Sequence, residues 1–542
     1  MNSSNSGAAP DPSSAPTLRS SMVSAMDGGH YDVFIVGGGI NGAVSAAALT
    51  NRGLRVALAE RGDFANMTSQ ESSNLVWGGF KYLQNYELPL VFKLCRSRNK
   101  LMRAYPTGIR EVGFLATLDE TAPFPSWLAA LGSVGYWAIG AFATARPRFF
   151  RPAALKKEEP VIDTDGANAA IDYADAYLTE NDARFVWSFV RSALDGGAEA
   201  ANYLDVERLE QNGSDGWTIH LRDLTDGRTM TATAASVVNA AGPLVDGLNR
   251  DMSVKTKHRI VYSKGIHLVV PKVTDAERVL AFFDDTQRLF YVIPMAHRSV
   301  IGTTDTRTED PRSPVTDEDR RFLLEQINAR LDLDKPLTTA DIIAERSGVR
   351  PLVVTAGDAS HSEEDWTSLS RKHEIEVDRR NRVISIFGGK LTDCLNVGDE
   401  VVDAVAELGL SVGPGSEDWF GEPSDEERVR FYQRATAVGL DRRPDVERGR
   451  SIAEVLWRRH GLAANAVIDA VEADRTLGEA VLADSDVLRA ELALYDKREM
   501  IVTMEDFLRR RTKLALIHRD EDLAADPGMA EVSRYFDAVP AR

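Results

Sequence analysis

The chain has 542 residues, enough for two or three structural units, and 43% of it is apolar, an ordinary fraction for a folded protein. A formal charge of −18 excludes a general nucleic-acid binder, which would show a basic face, and suits a soluble acidic protein whose local basic patches could still take an anion. Cys95 and Cys394 are the only cysteines, with no C-x-x-C and no Cys/His cluster, which argues against a disulfide framework and a metal site and for a reducing, cytoplasmic compartment.

Residues 1–29 are rich in Ser, Ala and Pro and lack the apolar run of a signal peptide, so a disordered tail is expected there. An unbroken apolar strand then runs from Tyr31 into Gly37-Gly38-Gly39-Ile40-Asn41-Gly42, and a small-residue helix follows. A second apolar strand over 55–59 ends on Glu60. Strand, helix and acid together give the glycine turn its meaning as a dinucleotide fingerprint. Gly37 permits the tight turn, Gly39 lets backbone approach a pyrophosphate, and Gly42 lets the helix pack closely on the strand. The helix N-terminus offers unsatisfied N–H groups to the phosphates. Glu60 accepts from ribose hydroxyls and repels a 2′-phosphate, which points to NAD or FAD. The competing reading is an ordinary βα turn that binds nothing.

Strand-like segments at 236–240 and 383–387 should rejoin this first sheet, which implies interleaved domains. The intervening pieces, about 103–160 and 258–346, are expected to form a second layer. The alternating patterns at 266–270 and 290–294 read as antiparallel strands there. Residues 121–145 carry no charge and are followed by Arg146, Arg148, Arg151, Lys156 and Lys157. Their length approaches a membrane span, yet glycines and alanines make them weakly hydrophobic. They read as a surface helix dipping into anionic lipid or as a helix buried in the second domain, with a transmembrane helix the weakest of the three readings. The cluster at 411–416 marks a boundary. Beyond it Ile452, Val455 and Leu456 share a helix face capped by Gly461, and Thr503 with Asp506 starts a helix that buries Phe507 and Leu514.

Several separate motifs occur in register: 31–60, Thr68-Ser69-Gln70-Glu71-Ser72-Ser73-Asn74-Leu75-Val76-Trp77-Gly78-Gly79-Phe80-Lys81-Tyr82-Leu83, Lys264-Gly265-Ile266-His267, Ile301-Gly302-Thr303-Thr304-Asp305, Ser347-Gly348-Val349-Arg350-Pro351-Leu352 and Phe387-Gly388-Gly389-Lys390-Leu391-Thr392. Together they resemble the FAD-dependent glycerol-3-phosphate dehydrogenases, within the D-amino-acid-oxidase-like flavoproteins. Asp506-Phe507-Leu508-Arg509-Arg510-Arg511-Thr512 resembles the signature of that family's helical C-terminal domain. The resemblance implies an α/β fold: an FAD-binding Rossmann-like domain interleaved with an antiparallel β-sheet substrate domain over 30–412, then a helical domain over 413–542.

It also implies FAD in extended form between the two sheets. Asn41, Thr68, Ser69, Ser72, Ser73, Leu391 and Thr392 would line the cofactor, and Gly242 would close the strand end over it. Gly78, Gly79 and Gly389 would let backbone pass a flat ring. His267 matches the family's substrate-site histidine, and Arg350 and Lys390 match its substrate-facing cations. Arg can grip a phosphate and Lys can stabilise developing negative charge. The implied reaction is oxidation of a secondary alcohol, sn-glycerol 3-phosphate to dihydroxyacetone phosphate. The expected partners are the small-molecule substrate, a quinone or other electron acceptor, a membrane surface in peripheral contact, and a second copy in a homodimer.

The chain departs from the family pattern in the loop that should meet substrate. Asn74, Trp77 and Lys81 stand where a basic residue, His and Arg are usual, with Tyr82 beside them. Asp393-Cys394-Leu395 replaces Thr-Tyr-Arg. Trp77 could turn a phosphate pocket into a stacking surface, which leaves a related oxidase or dehydrogenase with another hydroxylated or phosphorylated substrate as the alternative. Asp393 is expected to cap the helix after it, and Cys394 to be a small core residue.

Overall fold

Seven residues with no exposed apolar side chain, His30–Val36, form the strand around which the first sheet is built. The computed structural model describes residues 16–83, 86–213, 216–284, 287–355, 372–416, 419–442 and 450–536. Thr229–Asn239 pairs in parallel with this strand on one side, Val33 opposite Ser236, and Val56–Ala59 pairs on the other. Val383–Phe387 extends the parallel run beyond Thr229–Asn239, so both late-returning segments join the sheet as their apolar patterns predict. Among the described residues eight strands make up this sheet, with Glu199–Ala201 and Glu374–Asp378 at the ends of its main path. The helix Ile40–Asn51 lies on it through a nearly continuous buried run of alanines.

The second sheet has ten strands among the described residues. Its long central strand, His258–Pro271, pairs antiparallel with Ala344–Thr355 and with Arg298–Gly302. Leu289–Met295 and Arg278–Phe283 continue it, and Arg278–Phe283 runs parallel to Ile109–Leu118, a local departure from the expected antiparallel order. After 416 the described chain is helical, including Asp425–Ala437, Ile452–His460, Asn465–Ala473 and Arg489–Arg498. Gly461 ends the second of these at φ +53°, a conformation that suits glycine. Phe507 and Leu514 are buried as expected.

The tail expectation needs correcting. Residues 1–15 lie outside the described residues, but Leu18–Met26 is a helix capped by the Thr17 side chain. Val23 and Met26 pack into the first sheet's core, and Arg19 forms a 2.7 Å ion pair with buried Asp223. These tertiary contacts outweigh the polar local composition.

The uncharged segment also resolves. Ser126–Ile139 is a helix with Ala129, Ser133 and Tyr136 buried, while Trp127 (67% exposed), Leu131 (63%) and Phe142 (61%) face outward with Leu128, Val134 and Phe149. A fully buried helix is therefore excluded. Among the described residues no helix is long and apolar enough to cross a membrane.

Candidate active site

The sheets meet at the carboxyl end of His30–Val36, where the chain turns into the helix Ile40–Asn51. Gly37 takes φ +104°, and a side chain there would strike Ala240 O at 2.6 Å. At Gly42 an added Cβ would lie 1.8 Å from Gly37 O, so only glycine lets helix and turn come this close. Glu60 closes the turn by accepting from Gly38 N at 2.7 Å and Gly62 N at 2.8 Å. Burial raises its carboxyl above the usual value, and the two N–H groups partly offset this. Ser69 Oγ reaches the helix start at Ile40 N, 3.0 Å away, and would be 3.1 Å from a Cβ on Gly39. Asn41 donates to Gly388 O, tying the helix to the 388–390 turn, and Gly242 stands opposite in a positive-φ turn with open space before it.

From this turn a cavity of about 290 Å³ runs between the sheets, with Thr68, Ser69, Ser72 and Ser73 on one wall and Gly389, Lys390, Leu391 and Thr392 on another. His267, Trp77, Lys81, Tyr82 and Arg350 line the same space. One cavity thus gathers all three proposed catalytic side chains. Gly78 and Gly79 are not on its wall. Gly78 N donates to buried Asp175, a Cβ there would strike the Tyr136 hydroxyl, and Gly79 turns against Tyr82 and Leu94. Asn74 is also elsewhere: fully buried, it accepts from Arg346 at 2.9 Å and donates to Glu180 O. Its neutral side chain holds the loop and does not alter the charge of the cavity wall.

His267 sits on the long strand of the second sheet, 2% exposed, with Nε2 2.9 Å from Ser73 Oγ. Among the described residues its Nδ1 has no hydrogen-bond partner. Burial, then the positive charges of Arg346 and Arg350, hold its pKa well below the usual histidine value, so the ring is neutral at pH 7 and able to accept a proton. Arg350 is oriented by Thr303 Oγ1 at 2.8 Å, by Thr304 O at 3.2 Å and by Asp305 at 3.6 Å. Lys390 Nζ lies 3.8 Å from the centroid of the Tyr82 ring, and Trp77 packs on Tyr82 with centroids 5.9 Å apart and the rings tilted by 47°. A cation over an aromatic face is held in place without losing its charge.

Sequence reasoning missed Arg288. It lines the cavity just before the strand Leu289–Met295 and donates to Asp305 O at 3.0 Å. Its only signal is a position at the start of an apolar alternating run. Asp393 is a second correction. It stands at the N-cap of Cys394–Glu407 but makes no side-chain cap bond, because its carboxylate faces His373, Asn396 and Lys93. Cys394 is a buried core residue whose thiol pKa is raised by burial.

A family model described as FAD dependent oxidoreductase matches residues 32–373, and one described as the C-terminal domain of alpha-glycerophosphate oxidase matches 414–534. A glycerol-3-phosphate dehydrogenase of Synechocystis is 30% identical over 92% of this chain and 92% of its own length. The chain belongs to the FAD-dependent glycerol-3-phosphate dehydrogenase family. The aerobic glycerol-3-phosphate dehydrogenase of Bacillus subtilis is 31% identical over 72% of this chain and 69% of its own. In fold, the flavoenzyme is similar to a Bacillus halodurans glycerol-3-phosphate dehydrogenase complexed with FAD, with a TM-score of 0.72 at 23% identity over 97% of this chain and 95% of that one. FAD is the cofactor. The glycine turn, the buried acid on the second strand and the hydroxyl-lined wall fit it, since the turn is closed to any side chain at Gly37 and Gly42.

Proposed function

We propose that the enzyme oxidises sn-glycerol 3-phosphate to dihydroxyacetone phosphate. The observation that carries this reading is one cavity that joins a neutral, buried histidine to Lys81, Arg288, Arg350 and Lys390. The two carboxylates on its wall, Glu71 and Asp305, are ion-paired with Arg509 and Arg350, so the remaining field favours a doubly charged phosphate. In this reading the glycine turn, Glu60 and the 68–73 wall hold FAD, which supplies the hydride acceptor when bound. Arg350 grips substrate oxygens from the second sheet. His267 takes the hydroxyl proton, with Ser73 fixing the ring. Lys390, steadied by Tyr82, stabilises the negative charge that develops as the proton leaves.

Trp77 and Lys81 replace the usual His and Arg without removing positive charge from the cavity, because Lys81 and Arg288 both line it. Anaerobic addition of glycerol 3-phosphate is expected to bleach the flavin absorbance within seconds. Flavin that stays oxidised under glycerol 3-phosphate but is reduced by another hydroxylated or phosphorylated compound would shift the substrate to the alternative.

We infer that electrons pass on to a quinone at an anionic membrane surface. The outward face of Ser126–Ile139 and the exposed Arg146 and Arg151 support peripheral contact, with aromatics entering the interface and cations meeting lipid phosphate, while Arg148 is held by Asp172 and Glu158. The net charge of −18 opposes this, so the basic cluster must act within about 8 Å, the Debye length at physiological salt. The protein is expected to float with anionic vesicles at low salt, and to float less at high salt or with Trp127 and Leu131 changed to Ser. Protein left at the bottom of the gradient at low salt would move the acceptor towards oxygen or a soluble carrier.

A further inference from the structure

Behind the 388–392 turn lies a charged cluster, buried at His373 and Asp393 and open to solvent at Lys93 and Glu400, that the chemistry above does not use. His373 is 2% exposed and bridges two acids: Nδ1 is 2.8 Å from Asp393 Oδ2, and Nε2 is 2.9 Å from Glu400 Oε2. Lys93, on the helix Leu88–Ala104, lies 3.5 Å from the same Asp393 oxygen and 3.0 Å from Glu400. Ser97 on that helix and Asn396 also donate to Asp393. The cluster therefore joins four pieces of backbone: the start of Glu374–Asp378, the turn Leu391–Asp393, the helix Cys394–Glu407 and the helix Leu88–Ala104.

Two of these pieces carry the cavity wall. Asp393 N donates to Lys390 O at 2.9 Å, so the anchored carboxylate is one short turn from the Lys390 side chain. Just before the helix Leu88–Ala104, Glu87 N donates to Tyr82 O at 3.2 Å, which ties the helix start to the turn Phe80–Leu83 and to the ring under the Lys390 ammonium. We propose that His373, Asp393, Glu400 and Lys93 form a charged latch that clamps the Lys390 turn to the helix Leu88–Ala104 and so positions Lys390 for substrate. His373 and Asp393 are positioning residues, since they reach substrate only through Lys390, and the latch rests on the catalytic reading of Lys390 given above.

Charge state supports the geometry. Burial opposes an imidazolium at His373, but the two carboxylates outweigh it and raise its pKa above the usual value. Burial likewise opposes the Asp393 carboxylate, and His373 and Lys93 outweigh it. Glu400 is held down to about 2, first by its bond to His373. The groups facing His373 are Asp393, Glu400 and Lys93, with Lys372 and Glu374 beside it in sequence and paired with each other. A raised histidine pKa means the latch is closed below that value and opens as pH climbs through it.

The test compares FAD-loaded wild type with Asp393→Asn, His373→Gln and the double variant between pH 7 and 9.5, where His267, with its depressed pKa, does not titrate. Hydrogen exchange of 388–396 is read by mass spectrometry, and flavin reduction by glycerol 3-phosphate in stopped flow. Each single variant should speed exchange in 388–396 about tenfold while leaving 30–45 unchanged, and should lower kcat/KM about tenfold. The double variant should be no worse than either single one. Wild type should lose kcat/KM as pH rises, approaching the variants, whose own profiles are flatter. Unchanged exchange in both single variants overturns the latch, as does faster exchange with unaltered kcat/KM. If the variants lose FAD, the wild-type profile decides: kcat/KM flat to pH 9.5 overturns it. A wild-type flavin that glycerol 3-phosphate leaves oxidised defeats the substrate reading alone, and the exchange measurements still decide the latch.

Discussion

Arg350→Ala or Lys390→Ala is expected to slow anaerobic flavin reduction about a hundredfold, ~3 kcal/mol of lost transition-state stabilisation from charge-assisted bonds in a water-poor cavity. The two changes should differ in kind. Arg350 is held by Thr303, Thr304 and Asp305 before substrate arrives, so its loss removes a preorganised grip and should raise KM strongly. Lys390 answers charge that develops during reaction, so its loss should fall mainly on the maximal reduction rate. FAD content should remain near that of wild type in both, because neither side chain belongs to the glycine turn. Stopped-flow reduction across substrate concentrations separates the two effects. Wild-type rates in both variants would remove these residues from the site.

Asp63→Asn should destabilise the folded protein by about 3–5 kcal/mol, the range for breaking a buried ion pair by removing one partner. Asp63 is fully buried and accepts from Arg510 Nε at 2.7 Å, from Arg511 Nη1 and Nη2 at 2.7 and 2.8 Å, and from Asn202 at 2.7 Å. Both arginines are themselves buried and come from the 506–511 turn of the helical unit. Burial alone would raise the Asp63 pKa, but Arg511 and Arg510 outweigh it and hold it below the usual aspartate value. The same balance between burial and Arg184 holds Glu499 at about 2. Depressed carboxylates give stability that is complete above their unfolded values near 4 and is lost as pH falls through the folded values. Urea titrations that follow FAD release should therefore show wild type weakening steeply below about pH 4, and Asp63→Asn already weakened at pH 7. A midpoint at pH 7 equal to wild type would show that the two arginines find other partners.

Much of this arrangement is legible in the sequence because local pattern and tertiary role agree. The runs 236–240 and 383–387 are apolar on both faces, which a strand buried in a parallel sheet requires, and they pair where expected. His267, Arg350 and Lys390 were traceable through motifs and converge on one cavity. The misreadings share a cause. Asp393 sits where a cap belongs, but a histidine 20 positions earlier and a lysine 300 positions earlier in the chain compete for its carboxylate and win. Asn74 looks like a neutralised cavity residue until Arg346, 272 positions away, is seen to hold it. Arg288 looks like a solvated arginine at a strand start. Leu18–Met26 looks polar and loose because Asp223, its anchor, is 204 positions from Arg19. For Asp393, Asn74 and Leu18–Met26 the deciding partner is remote in sequence, and residue spacing carries no trace of it.

The first sheet places its earliest strand, His30–Val36, beside one made about 200 residues later, which pairs in turn with one made about 350 residues after the first, and Asp63 meets its two arginines only when residue 511 has been made. During synthesis the amino-terminal half therefore emerges with a sheet edge unpaired and a carboxylate whose partners do not yet exist. At roughly 5–20 residues per second this interval lasts on the order of half a minute. The 389–392 wall of the cofactor cavity is made about 350 residues after the glycine turn, and a chain that stops before residue 511 lacks the arginines that neutralise Asp63.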